Sequence, residues 1–309
     1  MMFDVRKGRA GAPLDIPASN FEPPASKSGV ASNSRASRGL EFQPDETARL
    51  DRAGTAPRNL LLTIRYDGSG YHGWQVQRNA VSVQQVFQAA LEKILGERPD
   101  LKGCSRTDSF VHALEFCVSF RTEREIPCER LAGALNHFLP DDIAVLSCRE
   151  VPLSFHARYS CKGKEYVYRV WTNPVRDPFL RGRVLHYWYP LDLGRMNRAA
   201  DFFLGTHDFT SFCARDAREP GRMERTVTKA GWSRIDRNEA DFCIAADGFL
   251  YHMVRIMVGT LLRVSQNKLK PEDMPRILLA CDRTAAGPTA PPQGLYLRKV
   301  FYEDVKDDG

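Results

Sequence analysis

From about residue 59 the chain reads as an α+β protein built of two similar halves on one sheet. Two observations carry that prediction. Stretches with the two-residue alternation of strands and stretches with the 3.6-residue stripe of helices follow one another in the order β-α-β-α-β. A similar order then recurs after about residue 160, so the chain repeats a half-sheet with its helices. The expected architecture is two ferredoxin-like halves that share a continuous, mostly antiparallel sheet, with helices on one face and a cleft on the other.

Residues 1–58 are rich in Ala, Ser, Gly, Pro and Arg and lack sustained periodicity. Such a stretch buries too little apolar surface to offset its conformational entropy, so it is expected to be a disordered extension. The first half is expected over 59–160. Residues 60–66 alternate as a strand and run into the turn-forming Asp67-Gly68-Ser69-Gly70. Ser82, with Gln85 three residues on, starts a helix whose stripe is Val83, Val86, Phe87, Ala90, Leu91, Ile94 and Leu95, and Gly96 stops it. A strand follows from 111, with His112, Leu114, Phe116, Val118 and Phe120 placed on one face. Pro127 opens a second helix to 139, and residues 142–148 form a short strand. The second half is expected over 161–304. Its strands are 164–171, 226–235, 240–246 and 296–302, and its helices 192–204, 250–265 and 271–280. Residues 305–309 are left as a tail.

The composition narrows the function classes. Of 309 residues 43% are hydrophobic, enough for a substantial core. With 44 Lys+Arg against 38 Asp+Glu the net charge is +6, a balance that suits a nucleic-acid partner without requiring one. No run approaches the length of a membrane span. The 8 cysteines are scattered singly, with no C-x-x-C pair and none at ligand spacing from a histidine. Zinc is therefore not expected, and reduced thiols in a cytoplasm are.

The chemistry-bearing stretch is Gly103-Cys104-Ser105-Arg106-Thr107-Asp108-Ser109-Phe110-Val111-His112-Ala113. It gathers a cation, hydroxyls, a carboxylate and an imidazole in a loop that feeds a strand, where a rigid sheet can aim polar groups into a cleft. Arg255 is a second candidate. It is a lone cation among Met253, Val254, Ile256, Met257 and Val258, and a cation in so apolar a stretch needs a partner. His156, Arg158, Lys162 and Lys164 cluster beside Phe155 and Tyr159, an interleaving of cations and aromatics that suits phosphate neutralisation with base stacking.

These residues lie in motifs that resemble the tRNA pseudouridine synthase A family. The stretch around Asp108 is similar to its G-R-T-D-x-G-V-H-A signature. The resemblance extends through Tyr66-Asp67-Gly68-Ser69-Gly70-Tyr71-His72-Gly73-Trp74-Gln75, Phe155-His156-Ala157-Arg158-Tyr159-Ser160, Gly205-Thr206-His207-Asp208-Phe209, His252-Met253-Val254-Arg255 and Ala286-Gly287-Pro288-Thr289-Ala290, in the family's order from about 59 to 302. Two positions depart from the pattern: Ser105 and Phe110 stand where the family has glycine.

The resemblance implies the pseudouridine synthase pair of halves, and a tRNA uridine isomerase acting in the anticodon stem-loop at tRNA positions 38, 39 and 40. It makes Asp108 the catalytic carboxylate, Arg255 its partner and Tyr166 an active-site tyrosine able to stack on the base and reach a proton. Arg106 is implied to help extrude the target nucleotide, and Leu295 to close over the base. His156, Arg158, Lys162 and Lys164 are expected to contact RNA. The partners implied are tRNA and a second copy in a homodimer, with no membrane, metal or cofactor. His72, His112 and His252 are expected to be hydrogen-bonded structural or RNA-facing residues. The alternative is a tRNA-binding homologue impaired in catalysis. Phe110 motivates it, because a backbone built for glycine there requires a φ that a bulky side chain resists.

Overall fold

The computed structural model describes residues 56–214 and 222–303. The extension expected over 1–58 lies outside the described residues as far as residue 55, and the tail over 305–309 lies wholly outside them.

The first half contains β1 (Arg58–Tyr66), α1 (Val83–Leu95), β2 (Lys102–Gly103), β3 (His112–Thr122), α2 (Cys128–Phe138) and β4 (Ile143–Val151). β1 starts at Arg58. Arg58 already pairs with Thr122, and its guanidinium donates to the carbonyls of Arg124 and Ile126 at 3.0 Å. α1 has the predicted ends: the Ser82 hydroxyl accepts from the Gln85 N–H at 3.3 Å, and Gly96 terminates it at φ 68°. β1 pairs antiparallel with both β3 and β4, and β2 pairs with β3, giving the order β4-β1-β3-β2.

The second half contains β5 (Cys161–Trp171), β6 (Leu185–His186), α3 (Leu193–Asp201), β7 (Gly205–Asp208), β8 (Glu224–Arg234), β9 (Glu239–Ala246), α4 (Met253–Ser265), α5 (Met274–Leu279) and β10 (Leu295–Tyr302). Its order is β10-β5-β9-β8, with β7 added at the edge and β6 alongside β5. Each half thus has the strand order 4-1-3-2 of a ferredoxin-like unit, laid in the same direction along one 10-stranded sheet. Right-handed crossovers in both halves then put α1 to α4 on one face. Phe87 and Leu91 of α1, Leu131 and Leu135 of α2, and Ile256, Met257 and Leu261 of α4 are fully buried there in one apolar core.

The halves meet where β10 runs parallel to β3, and only two residue pairs join them, Tyr296 with His112 and Leu297 with Ala113. Further along β3 the same edge is taken by β2, with Lys102 opposite Ser119 and Gly103 opposite Val118. The segment 104–111 fills the wedge between these pairings, held at its start by the Cys104 N–H on the Cys117 carbonyl at 2.8 Å. The predicted alternation of β3 is corrected at this point. Ile64 lies opposite Phe116 but Tyr66 lies opposite Ala113, so β3 carries an extra residue. That bulge turns His112 away from the face of Phe116, and bulges beside a cleft commonly re-aim a side chain in this way.

Other departures concern ends. α4 starts at Met253 rather than 250, because His252 is left-handed at φ 60°. α5 is shortened by a 3-10 turn at Pro271–Asp273, and α3 ends at Asp201. Among the described residues no helix is long and apolar enough to cross a membrane, and all eight cysteines are free thiols.

Candidate active site

Asp108 sits at the mouth of the wedge, between β2 and β3. Its Oδ2 accepts from Arg255 Nη1 at 2.9 Å, although the two residues are 147 apart in the chain. Both side chains are largely withdrawn from solvent, Arg255 at 12% exposed and Asp108 at 21%. Arg255 lies in the first turn of α4, and its own position is fixed twice over. Its Nε donates to the Ala290 carbonyl at 2.8 Å, and its backbone carbonyl accepts from the Ala290 N–H at 3.0 Å. The segment holding Ala290 can approach because Gly259 has no side chain: a Cβ there would stand 1.8 Å from the Pro288 carbonyl oxygen. The arginine set among apolar residues in the first turn of α4 thus has its carboxylate. The arrangement satisfies what burial of either charge demands.

The loop that carries Asp108 is braced from the segment after β1. Tyr66 and Thr107 share a hydroxyl hydrogen bond at 2.9 Å, and the Phe110 N–H donates to the Tyr71 carbonyl at 3.0 Å. Gly73, at φ 82°, lets the two segments touch, since a Cβ there would meet the Thr107 carbonyl oxygen at 2.3 Å. Phe110 itself adopts φ 66°. The loop therefore keeps a left-handed turn at a position occupied by a phenylalanine, at a strain on the order of 1–2 kcal/mol. Its ring lies 5.6 Å from that of His72. Backbone strain of this kind persists only where the surroundings over-determine it.

Tyr166 comes from the middle of β5. Its hydroxyl lies 3.3 Å from the Ser105 hydroxyl, a contact that a glycine at 105 would not offer. Burial pushes the Tyr166 phenol well above its ordinary value, so it is a neutral donor or acceptor rather than a phenolate. Phe249 meets the Tyr166 ring edge-on at 5.0 Å. The neighbouring Tyr168 is fully buried and spends its hydroxyl on the Pro291 carbonyl at 2.7 Å, a packing role.

A cleft of 1070 Å³ opens over these groups, and Asp108, Tyr166, Arg255, Arg106, Arg158, Lys164 and Leu295 all line it. His156 and Lys162 do not. His156 Nδ1 accepts from the Arg158 N–H at 3.1 Å, and its ring packs on the exposed Tyr159 at 4.3 Å. Burial, with Lys102 nearby, lowers its pKa. Lys162 pairs with Glu303 at 2.9 Å. Among the described residues no cluster of three His, Cys, Asp or Glu could hold a metal.

His112 lies outside the cleft lining. Its Nε2 is 3.0 Å from the Gly182 carbonyl, and its Nδ1 accepts from the Gly68 N–H at 3.0 Å and stands 3.1 Å from Asp67 Oδ1, so it ties the first half to the segment before β6. The His112 imidazole beside it, with hydrogen bonds from Ser69 and Arg183, holds the Asp67 carboxyl well below the usual range. Other residues line the cleft too, and of these Phe249, Arg222 and Arg225 carry too little sequence signal to single out. Ser105 also lines it, and so does His252, whose Nε2 stands 3.3 Å from Asp108 Oδ2. For His252 the signal was the His252-Met253-Val254-Arg255 motif.

A repeated α+β sheet with an arginine-bound aspartate at its seam falls into a known class of protein. Residues 62–160 and 199–303 match the family model described as tRNA pseudouridine synthase. The chain belongs to that family, whose members are isomerases. Curated relatives named tRNA pseudouridine synthase A include one from Thermoanaerobacter sp. strain X514, 48% identical over 248 residues that span 79% of this chain and 100% of the relative. Others are from Ruminiclostridium cellulolyticum, at 44% over 248 residues, and Acetivibrio thermocellus, at 45% over 245 residues, with the same coverage of each chain.

Proposed function

We propose that this chain converts uridine to pseudouridine in tRNA, with Asp108 as the catalytic carboxylate. The observation that carries the reading is the Asp108–Arg255 pair at 2.9 Å inside the cation-lined cleft. The pair engages Oδ2, and Oδ1 has no hydrogen-bond partner among the described residues, so one carboxylate oxygen is available to a substrate. In the rearrangement the C1′–N1 bond breaks, the uracil turns, and a C1′–C5 bond forms. The C5 proton leaves and N1 gains one, so atoms balance with no oxidant or reductant. The ribose C1′ becomes electron-poor as the base departs. An anion beside it stabilises that charge, attacks it, or takes a proton from C2′.

The other groups divide by chemistry. Tyr166 and Phe249 supply aromatic surface for an extruded base, and the neutral Tyr166 hydroxyl supplies a hydrogen bond near the proton transfers. Leu295 packs against the base. Arg106, Arg158 and Lys164 neutralise phosphates around the cleft, with Arg106 nearest the catalytic loop and suited to replacing the extruded nucleotide. His156 and Lys162 serve tRNA contacts outside the cleft. By resemblance the substrate uridines are tRNA positions 38, 39 and 40, and a second copy of the chain in a cytoplasmic homodimer helps to hold the tRNA.

One observation favours a second reading, a tRNA-binding homologue without chemistry: the strained φ of 66° at Phe110. Mapping pseudouridine in bulk tRNA from cells with and without this chain separates the two. The proposal expects modification at 38–40 to disappear with the protein. Unchanged modification, with tRNA still bound by the purified chain, favours the second reading.

A further inference from the structure

We infer that Phe110, with His72 beside it, is a stacking platform for the nucleotide next to the target uridine, so that the loop carrying Asp108 also grips the RNA strand. This rests on the reading of Asp108 as the group beside the target uridine. Both rings line the cleft of 1070 Å³. Phe110 is half-buried and His72 exposed, and their centroids stand 5.6 Å apart with the planes tilted by 52°. Arg106 and Phe110 flank Asp108 in the chain, two residues before it and two after, and both line the same cleft. Two residues of chain span at most about 7 Å, so a nucleotide adjoining one held over Asp108 is within reach of the Phe110 ring. Extruding a uridine leaves its neighbour with one bare face, and an aromatic ring covers such a face whatever the base.

The backbone holds this ring in the cleft at a cost. The Val111 N–H returns to the Asp108 carbonyl at 3.2 Å, so residues 108–111 close a tight turn with Phe110 third in it. Phe110 is left-handed there, at φ 66°, a conformation that glycine would adopt without strain. Its N–H is tied to the Tyr71 carbonyl, one residue from His72. His72 is fixed in turn: its N–H donates to the Val81 carbonyl and its carbonyl accepts from Gln77 Nε2, both at 2.9 Å.

Folding does not account for the phenylalanine. It belongs neither to the apolar core nor to the half-buried side chains packed against that core. A large ring that strains its own backbone and stays out of the core has its use elsewhere, and strain of this kind clusters at functional sites. The surroundings suit RNA. Arg106, Arg158 and Lys164 line the cleft with it, and cations interleaved with rings are what a single strand of nucleotides requires. Tyr166 and Phe249 provide surface for the extruded base, and Phe110 with His72 provides a second surface for its neighbour.

The test measures tRNA affinity and single-turnover conversion for the full chain and for F110Y, F110L and F110G. Tyrosine keeps the ring, leucine keeps apolar bulk without a π face, and glycine removes the ring and fits the left-handed turn. F110L and F110G should bind tRNA about 5- to 150-fold more weakly, the worth of one base on one aromatic side chain, with a smaller loss in conversion at saturating protein. F110Y should bind within about threefold of the parent, since its ring stacks alike. A tRNA assembled with an abasic nucleotide beside the target uridine completes the cycle. On one side of the target, loss of the base should weaken binding by the parent and add nothing to the loss already seen in F110L. Losses that add on both sides overturn the proposal, and so does F110L binding as tightly as F110Y. Should F110L fail to fold, F110G decides, and parent affinity in F110G overturns it. Saturated conversion that falls with affinity unchanged also overturns it, because the ring then only braces the loop. Full conversion by D108N overturns the reading of Asp108 instead, and the affinities, which need no turnover, still decide the role of Phe110.

Discussion

Arg255 and Asp108 form a pair whose members depend on each other. Removing one partner of a buried pair strands the other charge and typically costs about 3–5 kcal/mol. Both side chains keep some exposure, 12% and 21%, so the lower end of that range, about 3 kcal/mol, is expected for Arg255→Met. Arg255→Lys keeps the charge but not the geometry that serves Asp108 and the Ala290 carbonyl together, and should recover stability better than rate. Adding Asp108→Asn to Arg255→Met should relieve much of the stability loss in thermal or denaturant unfolding, because the stranded anion is gone. Losses that add within a few tenths of a kcal/mol would mean the two do not interact. In the sequence an arginine among apolar neighbours demands a counter-charge, and the family resemblance pointed to Asp108 as that partner. His252 was legible only as a hydrogen-bonded structural or RNA-facing histidine, since the apolar Leu250 and the aromatic Tyr251 continue a helical pattern through the residue where the backbone turns left-handed.

The elements that present the pair are held by close backbone approach. The loop from β2 to β3 rests against Gly73, and α4 rests against the segment before β10 through Gly259. Gly73→Ala would add a Cβ 2.3 Å from the Thr107 carbonyl oxygen at a φ of 82°. Left-handed strain and overpacking together should cost about 2–4 kcal/mol. The melting temperature should drop and the rate should fall more than tRNA affinity. A Gly73→Ala protein with parent melting and rate would show that the loop is not braced there. At this scale the long periodic elements were readable: α1 has the ends that Ser82 and Gly96 dictate. β2 and β6 were not, because two residues of strand hold no period. The β3 bulge was hidden for a related reason, as alternation within one strand carries no information about the register of its neighbour.

At the scale of the whole molecule, a half-sheet unit used twice explains why the site lies where it does. Only two residue pairs join β3 to β10, and the wedge beyond them admits a loop from one half and a helix start from the other. The repeat itself was legible from the recurring element order, but the seam was not, because β10 returns across the chain to pair with β3. The boundary of the folded part can be tested directly. A chain beginning at Ala56 should melt and act like the full chain. One beginning at Asn59 loses the Arg58 bonds to the Arg124 and Ile126 carbonyls, and should melt a few degrees lower, for a loss on the order of 1–2 kcal/mol. Equal melting of both would show that Arg58 adds nothing.

The most direct test of the central claim is Asp108→Asn assayed on a tRNA transcript for pseudouridine at positions 38–40, with tRNA affinity measured on the same protein. Asparagine keeps the shape and removes the charge. The account predicts normal folding, tRNA affinity close to the parent and conversion reduced by several orders of magnitude. Conversion above about a hundredth of the parent rate, a loss of less than ~2.7 kcal/mol of transition-state stabilisation, would contradict it.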